Sequence, residues 1–265
     1  MNKRMKAGIG LILLIGTLVI NSLGAFGFFN GLTQKDVSDQ YATLITPAPF
    51  TFSIWSVIYI LLIAAAVVMI IKSKEPYYEK TIDGISYLFW FSSILNMLWI
   101  ICFSFTFIGL SVIVILAFSI TLSLILKEIT KIQTGNHWLI PAAFGMYTGW
   151  LLIASVVNTA AWLVKIQWQG FGILPEYWGI IMIMVAVALT VVVTLTTTNA
   201  LVPIPVAWGY FGIYQSLMAM NGGQGTHQFL AISTLVGMVC LVVMAGIQFY
   251  SNRYRVMPEV HLNLR

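Results

Sequence analysis

Residues 149–162 read Gly149-Trp150-Leu-Leu-Ile-Ala154-Ser-Val-Val-Asn158-Thr-Ala-Ala-Trp162. The stretch lies inside an apolar run from Trp138 to Leu163 that contains no Asp, Glu, Lys or Arg and no period-2 alternation. A run of this length meets the roughly 20 residues that a helix needs to cross hydrocarbon, where every backbone N–H and C=O must be paired within the segment. Helix rather than barrel strand follows. Trp150, Ala154 and Asn158 then recur at i, i+4 and i+8 and share one helical face.

Working outward, seven further apolar runs lie near residues 7–29, 51–71, 85–105, 108–126, 178–196, 201–220 and 229–250. They predict an all-α integral membrane bundle of about eight transmembrane helices. The composition agrees: the 265 residues are 60% hydrophobic and 8% charged, with a mean hydropathy of +0.94. Soluble domains carry roughly 25% charged residues, so a water-soluble fold is excluded. The run 201–220 is the shortest and opens with Pro203 and Pro205, which suit a first helical turn; a re-entrant segment is the alternative there. The apolar run behind Lys3, Arg4 and Lys6 continues through Phe29, longer than a leader's apolar region, and reads as a retained first helix.

The net charge of +5 is spread over short connections rather than gathered on one face, which marks topology and not nucleic-acid binding. Lys3, Arg4, Lys6, Lys72, Lys74, Lys80, Lys127, Lys131, Arg253, Arg255 and Arg265 occupy alternate connections, whereas Lys35 and Lys165 fall on the other side. The positive-inside rule places both termini in the cytoplasm, in a membrane expected to be a bacterial cytoplasmic membrane. No proposed span contains an ionisable Asp, Glu, Lys or Arg, which disfavours a proton-coupled carrier. Cys102 and Cys240 sit in separate apolar runs and make neither a disulfide framework nor a metal spacing. His137, His227 and His261 read as solvated surface residues. Gly222-Gly-Gln-Gly225 lacks the Lys-Ser/Thr of a phosphate loop and reads as a turn. Nucleophile-base pairs and paired carboxylates are also missing, so no catalytic residue is assigned.

Polar and aromatic residues within the spans carry more information. Asn96 and Trp99 share a face at i, i+3, and Trp55 and Tyr59 at i, i+4. An unpaired amide in hydrocarbon costs several kcal/mol, so Asn96 and Asn158 must each face either a neighbouring helix or a polar ligand group. Gly145 and Gly149 form a G-x-x-x-G that lets two backbones approach; the partner is a second protomer, giving a homodimer, or a helix of the same chain. Pro47-Ala48-Pro49 followed by Trp55 and Tyr59 is loosely echoed by Pro203-Ile204-Pro205 followed by Trp208 and Tyr214, without matching spacing. The stretch from Asn30 to Phe50 is long enough to fold back as a lid. Trp178, at the start of a run, reads as an interfacial anchor.

Three segments resemble the translocator protein family, also called the tryptophan-rich sensory or peripheral benzodiazepine receptor family. They are Pro47 to Tyr59, with Trp55; Leu95-Asn96-Met-Leu-Trp99; and Gly149 to Trp162. The resemblance covers residues 1–163, five spans, and leaves 164–265 as an additional three-helix region. Two departures stand out: Ala48 separates the paired prolines, and Ile100 follows Trp99. No sterol-type L/V-x-Y-x-K/R pattern can be built at Tyr250, which argues against cholesterol recognition.

The resemblance implies a pocket covered by the first loop that binds porphyrin-like or other planar hydrophobic ligands. Trp55, Asn96, Trp150 and Ala154 would line it, supported by Tyr59, Trp99, Asn158 and Trp162. No cofactor is required, although a porphyrin or haem-like ligand is compatible, and the expected partners are membrane lipid and a hydrophobic small molecule. A sensor or regulatory role is expected. The alternatives are an uncoupled transporter of hydrophobic molecules and a light- and oxygen-dependent porphyrin-degrading enzyme.

Overall fold

The computed structural model describes residues 1–220 and 227–260. Among them are nine α-helices and no strand: α1 (Lys3–Ala25), α2 (Gln34–Gln40), α3 (Ile54–Ile71), α4 (Pro76–Ser104), α5 (Ile108–Ile132), α6 (Leu139–Lys165), α7 (Pro175–Thr197), α8 (Pro203–Met220) and α9 (Gln228–Ser251). The eight expected runs correspond to the eight long helices; α2 is a short addition in the first loop. His261, Arg265 and the Gly222–Gly225 run lie outside the described residues.

Several helices outrun their apolar cores. Pro76 occupies the first turn of α4, where its missing N–H costs nothing, so that helix starts before the apolar run and carries Glu79, Lys80 and Asp83 on its first two turns. Lys127, Glu128 and Lys131 likewise ride the last turns of α5. Charge is thus confined to helix ends, where long side chains reach water. Lys3 and Lys6 pair with Asp83. Tyr77 donates to Gln133 Oε1 at 3.0 Å, and the Gln133 carbonyl accepts from Val260 N at 2.9 Å. These bonds bring the N-terminus, the α3–α4 turn, the α5–α6 turn and the C-terminal tail to one end of the bundle, the basic end.

The central post is α6, with 83% of its membrane-length window buried against 28% for α1, α7 and α9. It packs on α5, α3, α8 and α7, while α4 joins α5 to α1. Among the described residues, seven helices are long and apolar enough to cross a membrane; α8 is the long helix outside that set. Yet α8 is an unbroken helix, not a re-entrant hairpin, and it runs the length of the bundle. Its entrance sits at the basic end, where Ala200 N donates to Val256 O, and its last residue, Met220, lies beside residues 42–45 and 169–175 at the opposite end. Packed between α6 and α9, it turns half of its residues inward and does not need a fully apolar surface.

The glycine pair of α6 has a partner within the chain. A Cβ on Gly145 would lie 2.5 Å from Asn199 Oδ1, and one on Gly149 would overlap the Val202 carbonyl. Asn199 in turn donates to Pro141 O at 2.8 Å and accepts from Leu201 N at 2.9 Å. Of the two partners left open for Gly145 and Gly149, the one that lies against them is within the same chain, the α7–α8 turn. The two proline segments, whose likeness was loose, meet in space. Ala48 N donates to Gly212 O at 3.0 Å and the Trp208 indole to Thr51 O at 2.8 Å.

Candidate functional site

Three tryptophans from three helices converge at the end of the bundle away from the basic connections. Trp55 comes from the first turn of α3, Trp99 from the last turns of α4 and Trp150 from the middle of α6, and together with Ala154 and Asn158 they wall a cavity. The i, i+4, i+8 spacing on α6 does what helical geometry requires: Trp150, Ala154 and Asn158 all face it. Trp55 and Trp150 meet edge to face at 6.2 Å, and Phe52 adds a second edge to Trp150 at 6.2 Å. Such quadrupole-matched contacts fix the rings and leave their remaining faces for a ligand.

Behind the wall, Tyr59 stacks on Trp55 at 5.1 Å. Asn158 accepts from the Trp99 indole at 2.8 Å and donates to Ser111 Oγ at 3.0 Å, so its amide holds Trp99 in one orientation. Trp162 does not reach the cavity but packs behind it with Phe103, Ile108 and Ala161. The Trp150 indole N–H is buried and has no hydrogen-bond partner among the described residues.

Asn96 departs from its expected place. It is fully buried away from the cavity, accepting from Asn21 Nδ2 at 2.9 Å and donating to Tyr147 OH at 2.6 Å, with Tyr59 OH at 3.5 Å. Its polar capacity is consumed by α1, α3 and α6, so it ties helices together and does not line the site. Asn158, expected only as support, lines it.

The first loop folds back over this cavity as a strap. Thr33 and Asp36 form a reciprocal capping box that starts α2: Thr33 N donates to Asp36 Oδ2 at 2.8 Å and Asp36 N to Thr33 Oγ1 at 3.1 Å. The Thr33 hydroxyl, donating to Asp36 Oδ2 at 2.7 Å, and the Thr33 backbone N–H hold the Asp36 carboxyl below the usual carboxylate range. Val37 points inward, fully buried against Phe103, Ile108 and Ala161. Gln34, Ser38, Tyr41, Thr46 and Pro47 complete the cover, and Gly209 of α8 faces the cavity from the other side. Sequence reasoning missed Phe52, the strap residues and Gly209. Phe52, one turn before Trp55, had a spacing signal; Gly209 had none, because only packing brings α8 there.

The space between these side chains amounts to about 690 Å³ including its mouth, of which about 60 Å³ admits the centre of a water molecule. None of the lining residues is Asp, Glu, Lys, Arg or His. The arrangement is a narrow, charge-free aromatic slot with a few amide and hydroxyl groups, suited to holding a flat apolar molecule.

No curated protein and no solved structure matches the chain. The family model described as TSPO-like protein matches residues 7–247, which reaches past the motif-bearing first five spans to take in α7, α8 and most of α9. With nearly the whole bundle inside that match, the chain is a membrane protein belonging to the TSPO-like protein family.

Proposed function

We propose that the tryptophan-walled cavity binds a planar hydrophobic ligand of the porphyrin class and that the protein acts as a membrane sensor or regulator of such molecules. The observation that carries this reading is the convergence of Trp55, Trp99 and Trp150 on one charge-free cavity, with the Trp150 N–H unpaired. Indole faces stack on a tetrapyrrole, and a buried donor without a partner costs about 1–3 kcal/mol that a ligand acceptor would recover. The free space is below the roughly 300–1,000 Å³ of ligand-filled sites, so binding requires the strap to lift. The basic end faces the cytoplasm by the positive-inside rule, which puts both termini inside and the strap outside.

Titrating protoporphyrin into the protein in nanodiscs, with tryptophan quenching as readout, tests the reading. Trp150→Ala is expected to weaken binding tenfold or more, from a lost stacking face worth about 1 kcal/mol together with lost apolar area. Trp138→Phe, at the basic end and 54% exposed, is expected to change nothing. Non-saturable quenching in the wild type, or equal damage from both variants, would overturn the assignment.

A further inference from the structure

A second cavity, larger than the first, lies at the strap end of the bundle. It is an open cavity lined by residues 42–45 of the first loop, the last turns of α6, the turn 168–175, the first two turns of α7 and Met220 at the end of α8. It offers about 620 Å³ to the centre of a water molecule, within the roughly 300–1,000 Å³ of sites that enclose small-molecule ligands.

Its chemistry is narrow. No lining residue is Asp, Glu, Lys, Arg or His, so a charged ligand would lose hydration without gaining a counter-ion. Two indoles form one wall: Trp168 and Trp178 meet at 4.6 Å, inclined at 64°. The Trp178 N–H donates to Gly170 O at 2.8 Å, which satisfies its one polar atom and leaves the ring as an apolar face. That contact requires the turn to pass close by. Gly170 has φ +62°, and a Cβ there would lie 2.8 Å from Trp178 Nε1. Phe171, a non-glycine residue at φ 52°, is 86% exposed and sets its ring edge-on to Trp168 at 5.3 Å. Most of the remaining wall is aliphatic, with Leu163, Leu174 and Met182, while Thr43 and Gln169 are its polar side chains; Leu174 is 64% exposed, so the chamber opens toward the surroundings.

We infer that this second cavity is a binding site for a neutral, lipid-soluble molecule with a flat unsaturated head and an apolar tail. The head stacks on the Trp178 ring, with Trp168 inclined beside it, and the tail lies against Leu163 and Met182. Trp178, expected to be a simple interfacial anchor, is its key contact. The site is separate from the tryptophan cavity. The loop between Tyr41 and Thr46 forms a partition, since Tyr41 and Thr46 face the first chamber and residues 42–45 face the second.

The test uses a 1,4-naphthoquinone bearing one isoprenyl unit as probe and 1,4-naphthoquinone-2-sulfonate as its charged counterpart. Both are measured by equilibrium dialysis against the protein in nanodiscs, with empty nanodiscs giving the partition background. The neutral probe is expected to bind saturably, with Trp178→Ala weakening it at least tenfold and Met182→Trp, which fills the chamber, abolishing it. Met182→Leu should retain binding, and thermal melting of each variant confirms folding. Trp150→Ala should leave the probe's affinity within about twofold. Loss of probe binding in Trp150→Ala with retention in Trp178→Ala and Met182→Trp would place the molecule in the first cavity and overturn the inference. Equal binding of the sulfonate, or no saturable binding at all, would overturn it as well.

Discussion

Asn96→Ala separates a structural amide from a ligand-binding one. Two well-formed hydrogen bonds end on this side chain, from Asn21 at 2.9 Å and to Tyr147 at 2.6 Å, with the Tyr59 hydroxyl at 3.5 Å adding little. Intramembrane side-chain hydrogen bonds average about 0.6 kcal/mol and reach about 1.7, so two of them amount to about 1–3 kcal/mol. The small void left in a fully buried position acts in the same direction. Asn96→Ala should therefore lower stability by about 1–3 kcal/mol, read as a reduced midpoint of SDS-induced unfolding from mixed micelles. Protoporphyrin affinity of the folded fraction should stay within about threefold of wild type, because Asn96 does not line the cavity. Asn158→Ala is the counterpart. It frees the Trp99 indole on the cavity wall and should reduce affinity more than Asn96→Ala does. An Asn96→Ala protein that unfolds like wild type but binds tenfold more weakly would refute the reasoning.

Gly149→Val would drive a branched side chain into the Val202 carbonyl, a backbone group that cannot swing aside, and overpacking of this kind costs about 1–3 kcal/mol; a lowered midpoint in the same unfolding assay, without change in oligomeric mass, is the expected result. Val37→Ala removes the apolar anchor of α2, loosening the strap by about 1–2 kcal/mol. Stopped-flow quenching should then show faster porphyrin association and release, and unchanged rates would show that the strap does not gate the cavity. Reporter fusions after Lys131 and after Ser251 should both report cytoplasm, whereas one within residues 30–50 should report the exterior; an external report at Ser251 would invert α9 and overturn the orientation.

The helices themselves were legible because the constraint that creates them is local. An apolar run in hydrocarbon has to pair its own backbone groups, so length and hydropathy set the long helices other than α8, and 3.6-residue periodicity alone put Trp150, Ala154 and Asn158 on one face. The sequence also contained the boundary signals it did not use, such as Pro76 opening α4 and Thr33 with Asp36 opening α2.

What lies across each face was not legible. Asn96 and Asn158 are the same amide, each associated with a tryptophan in the sequence, yet one ties α1, α3 and α6 together and the other orients Trp99 in a cavity wall. Gly145 and Gly149 fit a dimer equally well until the α7–α8 turn fills the space beside them. Between lipid and protein there is little hydrophobic gradient to decide which face turns inward, so helix docking follows shape and the pairing of a few polar groups. Both depend on partners far away in the chain, which is why Gly209, the strap and the second chamber at Trp178 exist only once the bundle is assembled.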